Sequence, residues 1–104
     1  MVDLLIETIG VLRKNGKSLS DIRFITDGVN CKKVNKASLS HMLKKRYDNS
    51  FGLAEVNTKL KLVGDDFWLE RYVYDGAESW EFKQMPKFSN PSKKILVLYT
   101  DAEN

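Results

Sequence analysis

Phe67-Trp68-Leu69-Glu70-Arg71-Tyr72-Val73-Tyr74-Asp75-Gly76-Ala77-Glu78-Ser79-Trp80-Glu81-Phe82-Lys83-Gln84 carries the clearest structural signal in the chain. A two-residue hairpin connection needs positive φ, which Gly and Asp tolerate, and Asp75-Gly76 sits between two runs rich in aromatic and β-branched residues. The pattern predicts a strand from Phe67 to Tyr74 and a return strand from Ser79 to Gln84. Alternation puts Phe67, Leu69, Arg71 and Val73 on one face, and Trp68, Glu70, Tyr72 and Tyr74 on the other. Trp80 and Phe82 share a face of the return strand.

One of these faces is expected to build the core. Trp68, Tyr72 and Tyr74 then form a surplus aromatic surface and are the candidate partner-binding residues. Trp and Tyr dominate protein-interface hot spots, and aromatics on a sheet also stack on single-stranded bases. A second copy of the same chain is a further candidate occupant, making a homodimer.

Outward from the hairpin, Lys59-Leu60-Lys61-Leu62-Val63 alternates with period two and ends in a turn at Gly64-Asp65-Asp66. Met85-Pro86 ends the return strand, and residues 87–93 read as a polar, basic loop. Ile95-Leu96-Val97-Leu98-Tyr99 is a short apolar run of the kind a covered strand shows.

The first half has a helical rhythm instead. Val2, Leu5, Ile6, Ile9 and Leu12 fall on one stripe, and Asn15-Gly16 stops the helix. Ser18 with Asp21 opens a second, short helix bearing Leu19, Ile22 and Ile25, closed by Asp27-Gly28. Residues 29–34 form a polar connection. Asn35 caps a third helix that runs to Tyr47 or Asp48, with Leu39, Met42, Leu43 and Tyr47 as its inner stripe. The expectation is a single α+β domain over 1–104: three N-terminal helices within 2–48, then a small antiparallel sheet within 53–99.

Composition sets the outer limits. The chain has 104 residues, 42% apolar and 30% charged, which suits one folded domain with a modest core. A net charge of +3 is compatible with a polyanionic partner. The single Cys31 allows no internal disulfide, no run approaches the roughly 20 apolar residues of a membrane span, and the acid-interrupted start lacks a basic leader. The reading is a cytoplasmic protein with no membrane association.

A support helix, a short second helix, a third helix with a basic outer face and then a hairpin resemble a winged helix-turn-helix. The resemblance covers residues 2–84 and rests on element order, not on a motif; the link from Asp27 to Asn35 is longer than that class's simplest turn. It implies double-stranded DNA as partner. Ser40, His41, Lys44 and Lys45 would contact DNA from the outer face of the third helix, beside Ala37. Lys32, Lys33 and Lys36 would lie on phosphates, and Lys59 and Lys61 would reach the backbone from a wing. The function expected is that of a transcriptional regulator or accessory factor, with a protein-interaction module as the alternative.

Catalysis is not expected, and no cofactor is implied. One His and one Cys give no metal-ligand spacing, and the glycines form no phosphate loop. Asp66 followed by Glu81-Phe82-Lys83 is similar to the acid and Glu-x-Lys pattern of Mg²⁺-dependent nucleases, a short pattern that a charged chain produces by chance.

Overall fold

The computed structural model describes residues 2–48, 54–86 and 98. Along the chain come β1 (Val2–Asp3), α1 (Leu4–Lys14), a 3₁₀ turn (Leu19–Asp21), β2 (Phe24–Thr26), β3 (Cys31–Lys33) and α2 (Lys36–Met42). After these follow β4 (Arg46–Tyr47), β5 (Lys61–Val63), β6 (Phe67–Tyr74) and β7 (Ala77–Gln84). Five strands form one antiparallel sheet in the order β3-β2-β5-β6-β7, and β1 pairs with β4 separately.

The hairpin forms as its sequence predicts. Asp75 and Gly76 take φ of 50° and 83°, and Tyr74 faces Ala77 across the turn. At the preceding turn the Gly64 N–H donates to Phe67 O at 2.8 Å. A Cβ on Gly64 would fall 2.2 Å from the Phe67 ring, so any other residue there forces that ring to move.

Helix α1 starts where Asp3 Oδ1 accepts the N–H groups of Leu5 (2.9 Å) and Ile6 (3.2 Å), satisfying two of the orphan donors of a helix start. Leu4, Thr8 and Leu12, four apart, face inward. With Leu19, Ile22, Leu39, Leu43 and Tyr47 they cover one face of the sheet, burying Ile25, Leu62, Phe67, Leu69 and Trp80. The helices therefore form one layer on one side of the sheet.

A polar network ties this layer to the hairpin. The Arg71 side chain is fully buried; its Nη2 donates to Tyr47 Oη (2.9 Å) and Glu78 Oε1 (3.0 Å), and Nη1 lies 3.5 Å from Glu7 Oε1. Tyr47 donates to Glu7 at 2.6 Å, and the Glu78 carboxylate accepts the backbone N–H groups of Glu55 (2.7 Å) and Val56 (3.1 Å). Burial, then the hydrogen bond to Glu7, pushes the Tyr47 phenol up to about 12. Beside it, Trp80 Nε1 donates to Thr8 Oγ1 at 2.7 Å. Among the described residues Arg71 Nε has no hydrogen-bond partner, a local cost within an otherwise satisfied cluster.

The α+β class and the hairpin stand, but three N-terminal helices followed by a winged-helix sheet do not. Only the first and third predicted helices exist, and the third is short. The predicted second helix is a 3₁₀ turn followed by β2, because Ile25-Thr26 is β-branched and Asp27-Gly28-Val29-Asn30 closes a hairpin, not a helix. Asp27 Oδ1 accepts the N–H groups of Val29 (2.9 Å) and Asn30 (2.7 Å), which fixes the turn and, with Asn30 the larger influence, holds the Asp27 carboxyl below its usual range. The expected 29–34 connection contains β3. Helix α2 ends at Met42, and Arg46–Tyr47 extends to pair with Val2–Asp3 so that Tyr47 reaches Glu7. The predicted strand at 95–99 lies outside the described residues apart from Leu98, which is exposed.

Candidate functional site

With both helices on one face, no described element packs over the other. Antiparallel register puts paired residues on the same face, so the composition of this open surface follows from the pairing alone. Lys33 (β3), Phe24 (β2), Val63 (β5), Trp68 (β6) and Lys83 (β7) stand in one line across all five strands. The next line is Cys31, Thr26, Lys61, Glu70 and Glu81. Tyr72 and Tyr74 continue the surface toward the hairpin tip.

Three aromatic groups on this face meet solvent: Phe24 is 40% exposed, Tyr72 46% and Tyr74 69%. Trp68 is half-buried, and its indole N–H donates to Glu70 Oε1 at 2.6 Å, which holds the ring in one orientation. Tyr72 and Tyr74 stack with centroids 6.5 Å apart. Lys83 pairs with Glu81 at 3.2 Å. The lysines of the two lines, Lys33, Lys61 and Lys83, surround the aromatic strip, against two carboxylates, Glu70 and Glu81. Such a surface offers flat apolar area with cations at its edges.

The residues expected to contact DNA do not converge. Lys33 and Lys61 lie on the open face, whereas Lys32 points to the other side of β3 and borders a hollow with Met42 and Leu60. Lys36 opens α2, and Ser40 is turned back on its own helix, its hydroxyl donating to Lys36 O at 2.7 Å. His41 is exposed in the last turn of α2, while Lys44 and Lys45 are exposed beyond the helix. The stem of Lys59 lies against Gly28. Between α1 and α2 stand a 3₁₀ turn and the β2–β3 hairpin in place of the second helix that a helix-turn-helix requires. Met42, expected on the inner stripe, is 44% exposed.

The Trp68, Tyr72 and Tyr74 face is where alternation places it, opposite the core. The other half of the strip does not follow from the expected elements: a helical Leu19–Ile25 leaves Phe24 off the sheet, and Val63, on its expected strand, then has no aromatic neighbour on that side. Asp27-Gly28 between Phe24-Ile25-Thr26 and Cys31-Lys32-Lys33 is the signal that finds it, the same signal that marks Asp75-Gly76.

The nuclease-like trio is not assembled. Asp66 pairs with Lys17 at 3.5 Å, while Glu81 pairs with Lys83. Among the described residues no group of His, Cys, Asp and Glu is placed to hold a metal ion. Also among them, no helix is long and apolar enough to cross a membrane.

No family model and no solved structure matches the chain. It is similar to a Paramecium tetraurelia protein named "Uncharacterized mitochondrial protein ORF11", 31% identical over 70 residues. The matched region is 64% of this chain but spans only 19% of that protein's length.

Proposed function

We propose that this domain binds a single strand of nucleic acid across its open sheet face, without chemistry of its own. The observation that carries this reading is the line Lys33–Phe24–Val63–Trp68–Lys83, which crosses all five strands. Bases stack on aromatic side chains whatever their identity, and flanking lysines neutralise backbone phosphates. The net charge of +3 favours such a partner. Phe24 and Trp68 are the stacking residues, Tyr72 and Tyr74 extend the strip, and Lys33, Lys61 and Lys83 are the phosphate contacts.

Duplex DNA is the weaker target, because a flat sheet does not enter a groove as a recognition helix does. The exposed thiol of Cys31 suits a reducing compartment, cytoplasmic or mitochondrial.

A second reading has an observation of its own. At the hairpin tip Tyr72, Val73 and Tyr74 are all exposed, so both faces of the tip carry apolar area, as a protein-binding finger does.

Fluorescence anisotropy with labelled single-stranded and duplex oligonucleotides at two salt concentrations separates these readings. The proposal expects single-strand binding that weakens with salt. Phe24→Ala and Trp68→Ala should each cost about 1–3 kcal/mol, and Lys44→Ala with Lys45→Ala should cost little. Preference for duplex, or insensitivity to both aromatic substitutions, contradicts it.

A further inference from the structure

A concavity of about 260 Å³ lies in the helical layer, on the side of the sheet away from the open face. Its wall is Ile9, Arg13, Lys17, Ser18, Leu19 and Lys36. Three separate segments deliver its cations: the last turn of α1, the loop after it and the first turn of α2. Among the described residues no carboxylate lines it. We propose that this concavity binds a phosphate group.

The local arrangement favours an anion over empty space. Lys17 is held in place, its ammonium 3.5 Å from Asp66 and 5.0 Å above the Phe67 ring. Arg13 and Lys36 have no ion-pair partner among the described residues, so the three cations lining the hollow outnumber the two carboxylates beside it, Asp66 at Lys17 and Asp21 at Ser18. Ile9 and Leu19 give the hollow an apolar floor, which lowers the local dielectric and strengthens a charge-assisted bond. The Ser18 hydroxyl lies 2.8 Å from Ser20 Oγ and donates to Asp21 Oδ2 at 3.3 Å, and it can rotate from that contact to donate to an anion.

Two neighbouring negative features are already engaged. Asp21 accepts the Ser18 N–H at 2.8 Å and closes the 3₁₀ turn. Leu12 O, near the end of α1, accepts from Asn15 N and Lys17 N.

The site is independent of the open sheet face and does not require nucleic acid. Inorganic phosphate and the terminal phosphate of an oligonucleotide share the chemistry it recognises, and a guanidinium with two ammonium groups suits a dianionic terminal group better than a backbone diester.

The test is an NMR titration of the isotope-labelled chain with inorganic phosphate, then with 5′-phosphorylated and 5′-hydroxyl oligonucleotides of one sequence. Saturable shifts should appear at the amides of Lys17, Ser18, Leu19 and Lys36. A 5′-phosphorylated oligonucleotide moving these amides when its 5′-hydroxyl twin does not assigns a nucleic-acid end; response to inorganic phosphate alone assigns the free ion. Arg13→Gln with Lys36→Gln should weaken phosphate binding at least ~10-fold, and Lys44→Gln with Lys45→Gln, the same charge change, by less than ~2-fold. Non-saturating shifts spread over the lysine-rich surface, or equal losses in the two double variants, overturn the proposal. The wild-type shift map decides by itself if the first double variant fails to fold.

Discussion

Replacing Arg71 by Met keeps the volume of the side chain and removes its charge. The consequence follows from what stays behind. Arg71 is fully buried, Glu78 is 2% exposed at its side chain, and Glu7 is 16% exposed. Without the guanidinium, Glu78 Oε1 loses its contact at 3.0 Å and Tyr47 Oη loses a donor at 2.9 Å. Removing one partner of a buried ion pair costs about 3–5 kcal/mol, because the remaining charge is uncompensated. Glu78 keeps the backbone N–H groups of Glu55 and Val56, which places the expected loss near the lower end, about 3 kcal/mol. In Arg71→Met with Glu78→Gln the stranded charge disappears, and at least about 1 kcal/mol should return through coupling between the two positions. Urea unfolding of wild type, both single variants and the double variant measures this cycle. A loss below about 1 kcal/mol for Arg71→Met, or strict additivity in the cycle, refutes the view that this cluster fastens the helical layer to the hairpin.

Tyr47 gives a pH-dependent check. Its folded-state value near 12 lies above the ordinary 10, so its contribution is complete below pH 10 and lost as pH climbs from 10 through 12; unfolding at alkaline pH should show a drop on the order of 2 kcal/mol that Tyr47→Phe abolishes. Gly64→Ala should cost about 2 kcal/mol in urea unfolding, since Phe67, stacked on Phe82 at 5.5 Å, must shift to admit the methyl group. Thr8→Val strands the Trp80 indole N–H and should cost about 1–3 kcal/mol, read as a lower urea midpoint at unchanged slope.

What could be read from the residues divides by the range of the interactions involved. The hairpin at Asp75-Gly76 was legible because a two-residue turn and two alternating strands are local. The first helix was legible from its period and its stop signal, but its inner face was not: the helix buries Leu4, Thr8 and Leu12 and leaves Ile6 of the expected stripe exposed, because Val2 is drawn into β1. The segment from Leu19 to Ile25 misled because residues three apart also fit a tight turn leading into a short strand. That strand exists because β5 and β3 pair with it, a contact 39 residues distant in the Phe24–Val63 case. Tyr47 fits a helical stripe with Leu39 and Leu43, yet its phenol is needed at Glu7 and Arg71, and that pull extends the backbone into β4. The aromatic strip shows the same division: Trp68, Tyr72 and Tyr74 follow from alternation, while Phe24 and Val63 join them only through sheet order.

The two tryptophans supply the most direct test of the open face, because their indole N–H groups report separately in one NMR spectrum. Trp68 lies on the proposed binding strip, bonded to Glu70, and Trp80 lies in the core, bonded to Thr8. On addition of a single-stranded oligonucleotide, the Trp68 indole signal should move saturably while that of Trp80 stays in place. A Trp68 signal that stays fixed while the oligonucleotide binds contradicts the assignment of the sheet face.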